Sequence, residues 1–134
     1  MSNIDKITAN EELFTELTPE QGAVVEGGLF ILIDQIQAIK AGADFIGKDD
    51  TYITINGNKI WGHKSFSTGQ TRTVNQGTST PGSFARVQLF DKDGFLNPDD
   101  PMGGFTAYNT NGYQRRARVS GSGSTYDIYY RAFA

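Results

Sequence analysis

From residue 29 onward the chain is written in short alternating runs. Tyr52-Ile53-Thr54-Ile55 alternates apolar with polar positions, Asn56-Gly57 supplies a two-residue turn, and Lys59-Ile60-Trp61 returns, which together predict a hairpin. In residues 84 to 90, Ala85, Val87 and Leu89 oppose Arg86 and Gln88, and residues 105 to 108 and 113 to 119 are two further candidates. The last run, residues 126 to 133, sets Ile128 and Tyr130 against Tyr129 and Arg131. With residues 29 to 41 and 70 to 74 added, the chain holds about eight strands at the spacing of an antiparallel sandwich.

Two stretches read less simply. In residues 29 to 41, Leu29, Leu32, Ile33, Ile36 and Ile39 fit a helix as well as a strand, and periodicity alone does not decide. Residues 120 to 124, SGSGS, read as a hairpin tip, because no lysine and helix follow to make a phosphate cradle. Ahead of the strands, residues 9 to 26 carry Leu13, Phe14, Leu17, Val24 and Val25 near a 3.6-residue period, with Pro19 after a capping Thr18 and Gly27-Gly28 as a stop. The expected fold is all-β, an eight-stranded antiparallel β-sandwich over residues 29–134 preceded by a short helical segment in residues 1–28.

Charge sharpens that division. Residues 1 to 28 hold six acids (Asp5, Glu11, Glu12, Glu16, Glu20, Glu26) against Lys6 alone, whereas the remaining nine acids face eleven bases. The segment is thus expected to act separately. The longest apolar run, from Leu29 to Ile33, has five residues, far short of the roughly 20 a membrane helix needs, so a soluble chain is expected. The absence of cysteine excludes disulfides, thiolate zinc sites and cysteine nucleophiles.

The stretch LTPEQGAVVEGG resembles the double-glycine leader of bacterial peptides and small proteins exported by peptidase-containing ABC transporters. The resemblance implies cleavage after Gly27-Gly28, with Phe14, Leu17 and Val25 offered to a hydrophobic groove while two residues without side chains thread a narrow protease cleft. It also implies a cytoplasmic precursor and a secreted or cell-surface product.

The chemistry is concentrated in two acidic stretches, GADFIGKDDTY and FDKDGFLNPDD. Asp91 and Asp93 lie two apart at the end of a predicted strand, and Asp99 can return to them across the Asn97-Pro98 turn. Asp44, Asp49 and Asp50 form the second group. Hard carboxylate oxygens from two loops suit calcium, which takes about six to eight of them. An EF-hand is excluded: counting from Asp91, Gly94 falls at position 4, Phe95 at position 5, and Met102 where the bidentate Glu belongs.

With these spacings the region resembles the C2 domain, a calcium-dependent membrane-binding β-sandwich. GADFIGKDDTYITI is similar to its first calcium loop, with Asp44 and Asp50 as ligands; LFDKDGFLNPDDPMGGF is similar to its third, with Asp91, Asp93 and Asp99. The resemblance implies those five aspartates as calcium ligands, Asp49 and Asp100 as auxiliary acids, and calcium-dependent stabilisation. It also makes Phe45, Ile46, Phe95 and Leu96 membrane-contact tips; the alternative is that the four pack together and cap the sandwich.

The resulting expectation is an exported bacterial calcium-binding module that docks on a membrane, envelope or matrix surface. Phospholipid is then a partner, and the leader brings in the transporter. The alternatives are a calcium-rigidified extracellular protein that self-associates, and a bacteriocin-like secreted protein. An enzyme is not expected: His63 is the single histidine, and neither G-x-S-x-G nor H-E-x-x-H occurs. Nor is nucleic acid expected of a domain whose net charge is +2: Lys59, Lys64, Arg72, Arg115, Arg116 and Arg118 could form a basic face for phosphate groups, but alternate residues of one strand, such as Arg116 and Arg118, read as its solvent side.

Overall fold

The computed structural model describes residues 28–42 and 48–134. The segment read as a helix, with Phe14, Leu17, Val25 and Gly27, lies outside the described residues, as do Asp44, Phe45 and Ile46. Eight strands follow one another: β1 (Leu29–Lys40), β2 (Lys48–Ile55), β3 (Asn58–Ser67), β4 (Thr71–Thr80), β5 (Phe84–Asp91), β6 (Asp100–Tyr108), β7 (Arg115–Gly121) and β8 (Ser124–Phe133). They form two four-stranded sheets, ordered β4-β1-β8-β7 and β3-β2-β5-β6, with every pairing antiparallel. Among the described residues there is no helix.

β1 resolves the ambiguity of residues 29 to 41. Leu29, Ile31 and Ile33 point into the core; then both of its pairings slip between Ile33 and Gln35, and the buried positions resume at Ile36 and Ala38. One inserted residue, Asp34, shifts the alternation by one. The spacing from Ile33 to Ile36 that imitates a helical turn is therefore the mark of a β-bulge. Arg131 on the neighbouring β8 donates to Asp34 at 2.6 Å. Burial works to raise the Asp34 pKa, but hydrogen bonds from Arg131 and Gln114 hold it below the ordinary value.

The core lies between the sheets. β1 supplies Ile31, Ile33 and Ile36, β2 supplies Ile53 and Ile55, β5 supplies Val87 and Leu89, and β6, β8 and β3 add Met102, Ile128 and Phe66. Each large apolar side chain buried here is worth about 1.5–3 kcal/mol against its exposed state.

Two hairpins close on residues with positive φ, Asn56-Gly57 (50° and 83°) between β2 and β3 and Ser122-Gly123 (53° and 85°) between β7 and β8. That is the backbone a tight two-residue hairpin turn requires, and it confirms the tip read from SGSGS. Where β6 passes close to β7 of the other sheet, Gly103 has φ of 101°, and a Cβ there would stand 2.6 Å from the Ser120 carbonyl oxygen.

One end of the sandwich collects the acidic stretches. Thr51 of β2 pairs with Asp91 of β5, which pairs with Asp100 of β6. The start of β2, the end of β5 and the start of β6 therefore meet, with residues 92–99 looping beyond them.

Candidate metal centre

Asp91 and Asp100 are ladder partners, so their side chains leave the same face of the sheet. Asp93, two residues beyond Asp91, comes back over them. One carboxylate oxygen from each of the three lies within 4.8 Å of the others, the one such group found among the described residues. The donor set fits calcium. An ion bound at about 2.4 Å from each oxygen keeps its ligands no more than about 4.8 Å apart, and every donor is a hard oxygen.

Asp50 meets this group through its backbone. Its peptide N–H donates to Asp91 Oδ1 at 2.6 Å, and its carbonyl accepts the Lys92 N–H at 2.8 Å. Its carboxylate is not one of the converging three. Asp44 lies outside the described residues.

Below the surface, Asp49 is 0% exposed, as is Asp91. Asp49 Oδ2 accepts from Ser124 Oγ and from the Tyr126 phenol, both at 2.8 Å, and that phenol also meets Thr51 Oγ1 at 2.8 Å. Burial of an ionised carboxylate is costly unless donors serve it. Here β8 provides two of them, tying the sheet that holds β8 to the start of β2. Burial raises the Tyr126 pKa strongly, with Asp49 adding to the effect and Thr51 opposing it.

Asp99, expected from spacing to face the cluster, has another engagement. Its Oδ2 accepts from the Tyr52 phenol at 2.5 Å and its Oδ1 from the Asp93 N–H at 3.0 Å. The hydrogen bond from Tyr52 is the main reason its carboxyl lies below the ordinary range, followed by the Asp93 N–H and then by the charges of Lys92 and Lys59. Burial, and then Asp99, pushes the Tyr52 phenol up to about 12. Tyr52 itself stacks on Phe90, with centroids 5.4 Å apart, and carries Lys59 over its ring at 5.1 Å.

The loop between β5 and β6 ends in an apolar tip: Phe95 is 100% exposed and Leu96 87%. They do not pack into a cap, and Phe45 and Ile46 lie outside the described residues. Arg72 donates to the Ser65 carbonyl, and Arg118 grips Asp127 with two bonds of 2.7 and 2.9 Å.

Of the sequence candidates, then, Asp91 and Asp93 converge, Asp100 joins them, Asp50 donates its peptide N–H to Asp91, and Asp99 is bonded to Tyr52 and the Asp93 N–H. Participants that escaped the sequence reading include Tyr52, Tyr126 and Ser124. The signal for the first was faint: a tyrosine two residues after Asp50, on a strand face shared with Phe90.

No family model matches the chain, and no curated protein matches it. Its likeness is to solved structures. A C2 domain superposes with a TM-score of 0.55 at 15% identity, over 80% of this chain and 98% of that one. Extended-synaptotagmin 2, in a structure of two of its C2 domains, gives 0.57 at 17% identity, over 99% of this chain and 46% of that one. Human GIVD cytosolic phospholipase A2 in complex with methyl gamma-linolenyl fluorophosphonate gives 0.50 at 15% identity, over 79% of this chain and 17% of that one. The fold is C2-like.

Proposed function

We propose that the protein is a calcium-binding module that docks, through the loops at its acidic end, on a surface bearing anionic phospholipid. The observation that carries the reading is the convergence of the Asp91, Asp93 and Asp100 carboxylates beneath the exposed Phe95-Leu96 tip. Asp91 and Asp100 would hold the ion from the sheet and Asp93 from the loop. A bound ion supplies positive charge at a cluster of carboxylates, which relieves their mutual repulsion and draws anionic headgroups toward the tip. Phe95 and Leu96 then enter the interfacial region, where an aromatic and an aliphatic side chain gain from burial. The role is one of binding, without catalysis. The double-glycine pattern at Gly27-Gly28 and the acid-rich segment before it support export of the module, with residues 29–134 as the product.

Calorimetric titration with calcium chloride tests the ion, using the wild type beside Asp93→Asn and Asp100→Asn. Heat from the wild type and none from the variants is expected, and a wild type that takes up no calcium sinks the reading. Sedimentation with phosphatidylserine-containing vesicles, with calcium and with chelator, tests the surface. Phe95→Ser with Leu96→Ser should abolish co-sedimentation while leaving calcium uptake unchanged; equal sedimentation of wild type and variant would refute the docking role of the tip.

A further inference from the structure

Asp99 and Asp100 are consecutive at the entry to β6, and consecutive side chains on an extended chain leave opposite faces. One of the two can join Asp91 and Asp93, and Asp100 is that one. What decides between them lies outside the acidic cluster. Both oxygens of the Asp99 carboxylate are engaged, one by the Tyr52 phenol and the other by the Asp93 N–H. Tyr52 is in turn held on two sides, by the Phe90 ring against one face and the Lys59 ammonium over the ring. Its phenol is a fixed post on the outer face of β2.

We infer that Tyr52 is a positioning residue that assigns the two adjacent aspartates their roles, holding Asp99 out of the ion's coordination and so presenting Asp100 to it. The inference rests on the calcium reading above and deepens it. Lys59 and Lys92 hold Asp99 in the same place through charge, whereas Tyr52 adds direction, because a phenol donates along one line. Without that donor, Asp99 Oδ2 is released and the loop can turn a further carboxylate toward the ion. The protein thus keeps one carboxylate in reserve beside its cation site.

The test uses the full chain as wild type, Tyr52→Phe, Asp99→Asn and the double variant, titrated with calcium chloride by calorimetry. Tyr52→Phe keeps the ring and its stack on Phe90. It is expected to bind calcium about tenfold more tightly, because ligand charge count sets affinity in oxygen-only sites. Asp99→Asn alone should leave the wild-type affinity in place, and the double variant should lose the gain. A calcium-free measurement accompanies these: the Asp93 amide resonance should shift and lose exchange protection in Tyr52→Phe, because its acceptor has moved, whereas the Asn oxygen of Asp99→Asn can still accept from it. The inference is overturned if Tyr52→Phe binds no more tightly than wild type, if Asp99→Asn weakens binding as Asp100→Asn does, or if the Asp93 amide ignores Tyr52→Phe. A wild type that binds no calcium refutes the proposed function and this inference with it, whereas calcium binding with an indifferent Tyr52→Phe refutes the inference alone.

Discussion

Replacing Tyr126 with Phe removes one oxygen from the buried support of the acidic end and leaves the ring. The phenol has a single proton, which goes to the acceptor-only Asp49 carboxylate, so Thr51 must donate to the phenol oxygen. The variant therefore strips a donor from a fully buried carboxylate and an acceptor from a fully buried hydroxyl. A hydrogen bond to a charged group is worth about 1.5–3 kcal/mol, and an orphaned neutral group costs about 1–3 kcal/mol. The two do not add in full, since Asp49 keeps Ser124 Oγ at 2.8 Å and the ring keeps its edge contact with Phe66, centroids 5.5 Å apart. A loss of about 2–3 kcal/mol is expected, or roughly 10 °C or more in Tm for a domain near 100 residues. Urea unfolding at neutral pH should show a lower midpoint at unchanged slope. In an Asp49→Asn background the same substitution should cost less, because the charge it served is gone. A loss below about 0.5 kcal/mol, the range of an ordinary surface change, would mean that water replaces the phenol and that the network contributes little.

Calcium at 100 times its dissociation constant should add about 2.7 kcal/mol; a thermal melt should rise by roughly 10 °C and lose that rise in Asp93→Asn with Asp100→Asn. Acid should act through Asp127, whose bond from Arg118 is the main reason it lies below 3.8, and through Asp34, which Arg131 and Gln114 lower against the opposing pull of burial. Both bind protons less readily folded than unfolded, so their stabilisation is complete above the unfolded value and is lost as pH falls through the folded one. Urea midpoints measured from pH 7 downward should hold until about pH 4 and then drop, with a shallower drop in Asp127→Asn. Gly103→Ala forces a side chain into a left-handed backbone 2.6 Å from the Ser120 carbonyl oxygen, and should lower stability by about 2 kcal/mol or more; a neutral result in the same assay would contradict the close approach of β6 and β7.

The strands that bury one face were legible because their alternation is intact: Ala85, Val87 and Leu89 read inward at once. β4 was read only in part, over residues 70 to 74, because as an edge strand it buries Val74 and Thr80 and leaves a polar sequence, TRTVNQGTST, without contrast. The first half of β6 was hidden for a different reason. Pro101, Gly103 and Gly104 resemble a turn, yet the glycines are there to let neighbouring backbones approach, Gly104 against the Val87 carbonyl and Gly103 against Ser120. At the acidic end, spacing alone marked Asp91 and Asp93 but ranked Asp99 above Asp100. The Tyr52 phenol reaches Asp99 from 47 residues away, and nothing local in FLNPDDPM encodes that bond.

The pairing of Asp91 with Asp100 has one more consequence. The two carboxylates nearest the sheet are set by ladder register and owe nothing to the length of the chain that travels between them. That excursion can be lengthened, shortened or given a different tip at small entropic cost, roughly 0.6 kcal/mol for each doubling of its length, while its two anchor points stay where they are. In the calcium reading proposed above, the end of the sandwich is in this sense a socket: two of the three carboxylates belong to the frame, and the loop that carries Asp93 and the Phe95-Leu96 tip is an exchangeable fitting. Grafting another recognition loop between residues 93 and 99 would be the direct way to give the same frame a new target.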